Sequence, residues 1–425
     1  MIPWLLGVFA GCVLLGVPIS FALVLACFAA VSFASPMPLA AVVQGMVAGV
    51  DSTPLIAIPL FVLFGEVMAR GGLGLRIVLL GQACVGWIRG GLAHANVMAS
   101  MFFGGISGAA TADTAAIGSV AIPAMRRVGY PAGFSAAVTA ASSIIGIIIP
   151  PSIDLILYGW LTGTPIDQLF AGGFIPGLLV GVSLMALSWW LSVRGGFGEV
   201  KAFQMSALAG AMGETWPILL LPPLVLGGIL GGWFTVTEAA AVAIVYGFCV
   251  SVFWYRDLRL GDVPSVLRAT AATLGSVMLL LAAARMFGWI LTVEQVPQAL
   301  SAWMQSALPG PDLFLLNVIV ICLLAGLFLT PASATIILTP ILFPSAQAFG
   351  VDPVHFGMVL NVALALGHIT PPVGLTLLIA GNIAGVRPER MAREILPFLL
   401  VLIVTTGAVA WVPELTLALP RLMRD

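Results

Sequence analysis

Apolar residues run along this chain in long blocks without a regular polar face, which is the pattern of helices surrounded by hydrocarbon. A helix needs about 20 apolar residues to cross the hydrocarbon core. The stretches 3–32, 54–69, 131–160, 172–193, 214–232, 235–255, 268–293, 354–381 and 395–413 qualify, and they predict nine crossings. Two more apolar stretches, about 91–127 and 312–346, are interrupted by Ser107-Gly108 and by residues 330–333 (TPAS), which are turn-forming groups. Each predicts a re-entrant hairpin. Irregular backbone is tolerated at membrane depth only where protein covers it or where it lines a polar cavity, so two hairpins predict a site.

Composition narrows the class. The chain has 425 residues, 61% of them apolar and 8% charged, with a mean hydropathy of +1.15. A soluble domain carries about a quarter charged residues, so a soluble enzyme with a tail anchor is excluded. The net charge of −1 and the absence of any basic run longer than Arg126-Arg127 leave no face for nucleic acid. Cys12, Cys27, Cys84, Cys249 and Cys322 lie inside apolar stretches without CxxC spacing and read as small core residues. His94, His355 and His368 are too scattered for a transition-metal motif. The first residues have no basic region and no cleavage site, so the first segment is expected to stay in the membrane.

Charge also sets an expected orientation, because Arg and Lys collect on cytoplasmic loops. With a cytoplasmic N-terminus, thirteen of the sixteen fall there: Arg70, Arg76, Arg89, Arg126, Arg127, Arg194, Lys201, Arg256, Arg259, Arg268, Arg387, Arg390 and Arg393. The opposite connections, about 33–53, 161–171, 294–311 and 347–353, carry acids but no Arg or Lys. Arg421 and Arg424 at the C-terminus are the exceptions. In this topology the first hairpin enters from the cytoplasm and the second from outside.

The chain also repeats itself. Residues 134–151 (FSAAVTAASSIIGIIIPP) recur as 356–372 (FGMVLNVALALGHITPP), with Gly146 and Gly367 221 residues apart, as are Pro150 and Pro371. The same offset pairs Gly105 with Gly326, Pro123 with Pro344 and Gly129 with Gly350. The predicted fold is therefore an all-α polytopic membrane protein of two inverted repeats. They span 1–193 and 214–425, with a cytoplasmic linker at 194–213. Each has scaffold helices, a hairpin and a helix broken at Pro-Pro (131–160 and 354–381).

Pro150-Pro151 and Pro371-Pro372 each remove two backbone donors, so carbonyls are expected to be left free at the breaks. Carbonyls and hydroxyls are what a hard cation such as Na⁺ takes at the membrane midplane. The candidates for Na⁺ are Ser107, Gly108, Thr111, Ser142, Ser143 and Gly146 in one half, and Thr330, Ser333, Gly367 and Thr370 in the other. Ser and Thr that bond back to helical carbonyls are the plain alternative. Among charges inside the membrane, Asp113 could sit by a cation or accept backbone bonds at the start of the returning helix. Glu66 and Arg285 could pair or run to their interfaces. Glu238, after Thr237, reads as a first-turn acid facing the helix dipole.

An enzyme is not indicated, since GxSxG, HExxH and P-loop motifs and paired intramembrane carboxylates are all missing. Without a P-loop this chain is no ATP-driven pump. A stand-alone Na⁺- or H⁺-coupled anion or dicarboxylate transporter of the wider ion-transporter class is the serious alternative, and a passive channel the third.

Several motifs in order resemble the large membrane subunit of tripartite ATP-independent periplasmic (TRAP) transporters, over essentially the whole chain. They are residues 105–118 (GISGAATADTAAIG), Gly129-Tyr130, 149–153 (IPPSI), 235–241 (TVTEAAA), 338–344 (LTPILFP), 350–357 (GVDPVHFG) and 370–374 (TPPVG). Ala109, Thr330 and Ala363 stand where that pattern usually has Ser, an acid and Asn. The resemblance implies Na⁺-driven import of an organic acid across a bacterial inner membrane. It implies a periplasmic substrate-binding protein and a small four-helix membrane subunit as partners, no organic cofactor, and an elevator motion. On this reading, Ser107, Thr111, Asp113, Thr335 and Asn361 are the candidates for substrate contact.

Overall fold

The computed structural model describes residues 1–198 and 202–423. Lys201 and Arg424, both used in the charge argument, lie outside the described residues. Among the described residues every regular element is helical.

Among the described residues, four helical spans are long and apolar enough to cross a membrane: Thr53–Arg70, Ile166–Gly195, Val236–Trp254 and Leu260–Val293. Two bent pairs would bring the number to six, namely Met205–Leu219 with Leu221–Leu230 (41°) and Pro388–Glu394 with Leu396–Trp411 (49°). Prolines explain the bends: Pro217, Pro222 and Pro223 crowd the first, and Pro397 follows the second. The remaining expected crossings are built from helices of 10–17 residues.

Several sequence expectations need correction. The stretch 3–32, read as one crossing, is two helices, Ile2–Leu14 and Ile19–Ala34. Gly16 turns with a left-handed φ of +76° and Pro18 cannot continue the ladder, so an apolar run conceals a turn. The external connections at 33–53 and 294–311 contain helices Ala40–Val50 and Val296–Ala307. Leu73–Val85 occupies a connection read as cytoplasmic loop. The linker at 194–213 is shorter than expected, because Ile166–Gly195 runs into it and Met205–Leu219 begins within it.

The expected interruptions fall where the turn chemistry put them. The first hairpin is Gly91–Ser107 and Ala110–Arg127; the second is Pro311–Gly326 and Pro331–Ala348. The first broken helix consists of Ala132–Ser143, a 3₁₀ turn at Ile144–Ile147, and Ile153–Thr162. The second consists of Pro353–Gly367 and Leu375–Ala384. Both Pro-Pro bonds are cis.

Each hairpin packs on the broken helix that follows it, and the halves also interlock. Pro331–Ala348 lies on Ile153–Thr162, and Leu375–Ala384 lies on both Ala132–Ser143 and Ala110–Arg127. Tyr158, Phe343 and Phe356 form the seam: the Tyr158 ring meets Phe343 edge-on at 6.1 Å and Phe356 at 6.2 Å. Tyr158 and Phe356 are buried and Phe343 packs half-buried against them, so these large rings tie the two broken helices and the second hairpin together. Outside it, Val263–Val293 packs on Ile19–Ala34, Ala40–Val50 and Ala57–Arg70.

Candidate functional site

Close backbone approach builds the site. A methyl placed on Gly104 would fall 2.8 Å from Cα of Gly146, and one placed on Gly367 would fall 2.7 Å from Cα of Gly326. Only glycine allows a hairpin arm to lie this close to a break. The sequence register pairs Gly105 with Gly326, but in the structure Gly104 takes the corresponding place. At the first tip Gly108 has φ +62°, and a Cβ there would sit 2.6 Å from the carbonyl oxygen of Pro151. The tip therefore rests on the break itself.

Asp113 lies in the first turn of Ala110–Arg127 and is fully buried. Neither of its carboxylate oxygens has a hydrogen-bond partner among the described residues. The expectation that it accepts backbone bonds is therefore overturned. Ser100 and Ser143 stand beside it without bonding it in good geometry. Ser100 Oγ lies 3.0 Å from Ser142 Oγ, while Ser143 donates to the Thr139 carbonyl at 2.8 Å. A side chain on Gly146 would approach Asp113 Cβ at 3.7 Å, so acid, hydroxyls and break share one pocket of structure. Ser107 is 3% exposed and its hydroxyl is likewise without a partner, whereas Thr111 is half-buried.

The second unit is built differently. Thr330 caps Pro331–Ala348: its hydroxyl accepts from Ser333 N–H at 3.3 Å and lies 2.8 Å from Ser333 Oγ. Thr370 donates back to the Leu366 carbonyl at 2.8 Å. Thr335 is buried with its hydroxyl unpaired. The first break is buried throughout 144–151, but Pro372 and Val373 of the second are exposed.

The expectation of free carbonyls needs a second correction. Ile147 O accepts from Asn361 Nδ2 at 2.6 Å and from Ser152 Oγ at 2.8 Å. His368 O accepts from Thr376 Oγ1 at 3.2 Å, and Gly367 O from Thr370 N–H at 3.1 Å. Protein donors thus take much of what the prolines release. Asn361 does this across the halves, reaching from the second broken helix to the first, and its own Oδ1 stays unpaired.

Of the charged residues weighed in sequence, Glu66 pairs with Arg70 at 3.7 Å, not with Arg285. Glu238 forms a full capping box with Thr235, receiving the Thr235 N–H at 2.8 Å. Sequence reading missed Asp154, an acid inside the apolar stretch 131–160 that is only 5% exposed. It also missed Ser100, Thr339 and Asn96, whose Nδ2 donates to Thr139 Oγ1 at 2.6 Å. The signal for Asp154 was present, since an ionisable residue within a crossing marks function by default. The hydroxyls carried none.

The chain resembles known proteins over nearly its whole length. Residues 6–415 match the family "Tripartite ATP-independent periplasmic transporter, DctM component". The isethionate TRAP transporter permease protein DctMQ of Oleidesulfovibrio alaskensis is 40% identical over 97% of this chain, which spans 65% of that protein's length. The C4-dicarboxylate TRAP transporter large permease protein DctM of Pseudomonas aeruginosa is 41% identical over 86% of each chain. The sialic acid TRAP transporter large permease protein SiaM of Vibrio cholerae is 35% identical over 97% of this chain and 96% of its own. Among solved structures, the Alcanivorax borkumensis YdaH transporter shares the fold, with a TM-score of 0.62 at 20% identity over 87% of this chain and 86% of that one. This chain is an integral membrane protein and belongs to the DctM component family of tripartite ATP-independent periplasmic transporters.

Proposed function

We propose that this chain is the large permease subunit of a Na⁺-driven importer of a small organic acid. It sits in a bacterial inner membrane with its N-terminus in the cytoplasm. It works with a periplasmic substrate-binding protein and a small membrane subunit. Relatives named for isethionate, C4-dicarboxylate and sialic acid transport support an organic anion as the substrate class.

The observation that carries the Na⁺ reading is Asp113. A carboxylate buried without hydrogen bond or cation costs several kcal/mol, so it must take up a positive partner, a cation or a proton. Its neighbours are the hydroxyls of Ser100 and Ser143, with Ser142 joined to Ser100, and oxygen donors suit Na⁺. The second unit offers Thr330 and Ser333 at its tip and Gly367 and Thr370 at its partly exposed break. With the hairpins entering from opposite sides, the two halves are inverted repeats. The hairpins and broken helices then move as one body past the outer helices, in an elevator.

The test is uptake of a labelled organic acid into proteoliposomes holding the complete transporter, with an inward Na⁺ gradient. Uptake should need both Na⁺ and the binding protein. Saturable uptake by this chain alone, or uptake indifferent to Na⁺, would sink the proposal.

A further inference from the structure

The helix Leu73–Val85 joins the outer helix Ala57–Arg70 to the first hairpin, and it packs along both arms of that hairpin. A Cβ on Gly81 would fall 2.9 Å from the carbonyl oxygen of Ala95, and one on Gly74 would fall 3.3 Å from that of Ala116. Backbone lies on backbone over this length, so in the elevator reading the helix travels with the hairpin.

Its first turn is nevertheless fastened to the outer helices. Arg76 pairs with Asp257 at 2.5 Å, and its guanidinium lies 4.0 Å from the centroid of the Tyr255 ring. Tyr255 donates its hydroxyl to the carbonyl of Glu214 in Met205–Leu219 at 2.6 Å. Tyr255 and Asp257 directly follow the outer span Val236–Trp254. Their loop is itself fixed, because the N–H groups of Asp257 and Leu258 both donate to the Ser251 carbonyl, at 3.2 and 3.3 Å. Arg256, between them, takes a left-handed φ of +58°, which non-glycine residues rarely adopt, and the residues on either side of it both meet Arg76.

The turn ahead of the helix is pressed onto the same support. A Cβ on Gly71 would meet Ser251 Oγ at 2.5 Å, and one on Gly72, whose φ is +66°, would meet Asp257 Oδ2 at 2.8 Å. Glycine permits both the close approach and the left-handed turn. The second hairpin has no matching cation: the position 221 residues after Arg76 is Pro297, and Val296–Ala307, which leads to that hairpin, carries no charged residue.

We propose that the Arg76–Asp257 pair is a latch across the boundary between moving and fixed helices. It holds the first hairpin in the arrangement seen here and opens when the hairpins travel. Travel of one helical turn or more, about 5.4 Å, takes Arg76 away from a partner fixed on the outer helices. The proposal rests on the elevator reading given above.

The test is crosslinking at the other hairpin, in the complete transporter with the native cysteines replaced. Gly288 of Val263–Val293 lies against Pro340, so a Gly288→Cys/Pro340→Cys pair reports how often this arrangement is occupied, from a place the latch does not touch. Arg76→Ala should slow the initial crosslinking about three- to tenfold, as expected when an exposed ion pair and a cation–π contact are lost together. Asp257→Asn should slow it less, since the ring contact remains, and Arg76→Lys should keep most of the wild-type rate, since the charge remains. Unchanged rates in Arg76→Ala and Asp257→Asn overturn the latch, and so does equal slowing by Arg76→Ala and Arg76→Lys. If Arg76→Ala does not fold, an unchanged rate in Asp257→Asn is enough to reject it. A complete Gly288→Cys/Pro340→Cys crosslink that leaves uptake intact overturns the underlying elevator reading instead.

Discussion

The two hairpin–break units share a layout and differ in chemistry. In the first, a buried break faces a fully buried, unpaired carboxylate, and the tip turns through a left-handed Gly108 with no side-chain cap on the returning helix. In the second, the break is partly exposed, neither the tip at 327–334 nor the broken helix at 353–384 carries an acid, and Thr330 caps the returning helix. Sequence repetition thus conserves the backbone approach and leaves the charge free to differ. In the proposed function this difference makes the first unit the one that holds positive charge and the second the one that opens.

The largest effect should come from locking the units to the outer helices. Gly288 of Val263–Val293 faces Pro340 of the second hairpin, with a built Cβ 3.8 Å from its ring. With Cys12, Cys27, Cys84, Cys249 and Cys322 replaced, a Gly288→Cys/Pro340→Cys crosslink should abolish uptake in the elevator reading. A complete crosslink that leaves uptake intact would replace the elevator by local gating.

Next come the glycines, where the units are unequal. A methyl at Gly367 collides with Gly326 at 2.7 Å, but a methyl at Gly146 meets Gly104 Cα at 3.5 Å, an ordinary contact. Gly367→Ala should therefore cost about 1–3 kcal/mol, as overpacking does, and cut uptake sharply. Gly146→Ala should be mild, while Gly104→Ala should resemble Gly367→Ala. Thermal unfolding in detergent and uptake assays check the order; equal effects at 146 and 367 would erase the asymmetry.

Asp113→Asn follows. It keeps the shape and removes the charge, so half-saturating Na⁺ should rise about tenfold or more, equivalent to roughly 1.4 kcal/mol. Ser333→Ala in the second unit should move it less. Equal shifts would mean that the carboxylate is not what distinguishes the first unit.

How much of this was readable beforehand depends on what each residue signals alone. Pro-Pro and Ser-Gly punctuate a helix wherever they stand, so both breaks and the first tip fell where expected. Gly16 and Pro18 carry the same signal, yet continuous apolar flanks masked them in the stretch 3–32. Asp113 was visible as an acid in an apolar run, but whether its oxygens find donors depends on where Ser100 and Ser143 point. Asn361 was singled out for substrate, and only packing shows its amide spent on Ile147 O. The repeat offset misplaced the tight glycine by one position, because helix contacts need a face and tolerate a shift in numbering.

The smallest effect tests the cap. Thr330 is exposed and joins Ser333 through its hydroxyl, so it holds the tip of the second hairpin without touching the core. Loss of an N-cap costs about 0.5–2 kcal/mol, and the cost falls on the helix end it protects. Thr330→Ala should therefore fray the start of Pro331–Ala348 and leave the rest of the fold intact. Hydrogen exchange should rise at residues 332–334 and remain unchanged at 110–113, where no side-chain cap exists to lose. Thr330→Ser should restore the protection, because the hydroxyl is what accepts the Ser333 N–H. If exchange rises equally at both tips, the hairpins are coupled through the shared core, and the cap does not set the local stability of the second unit.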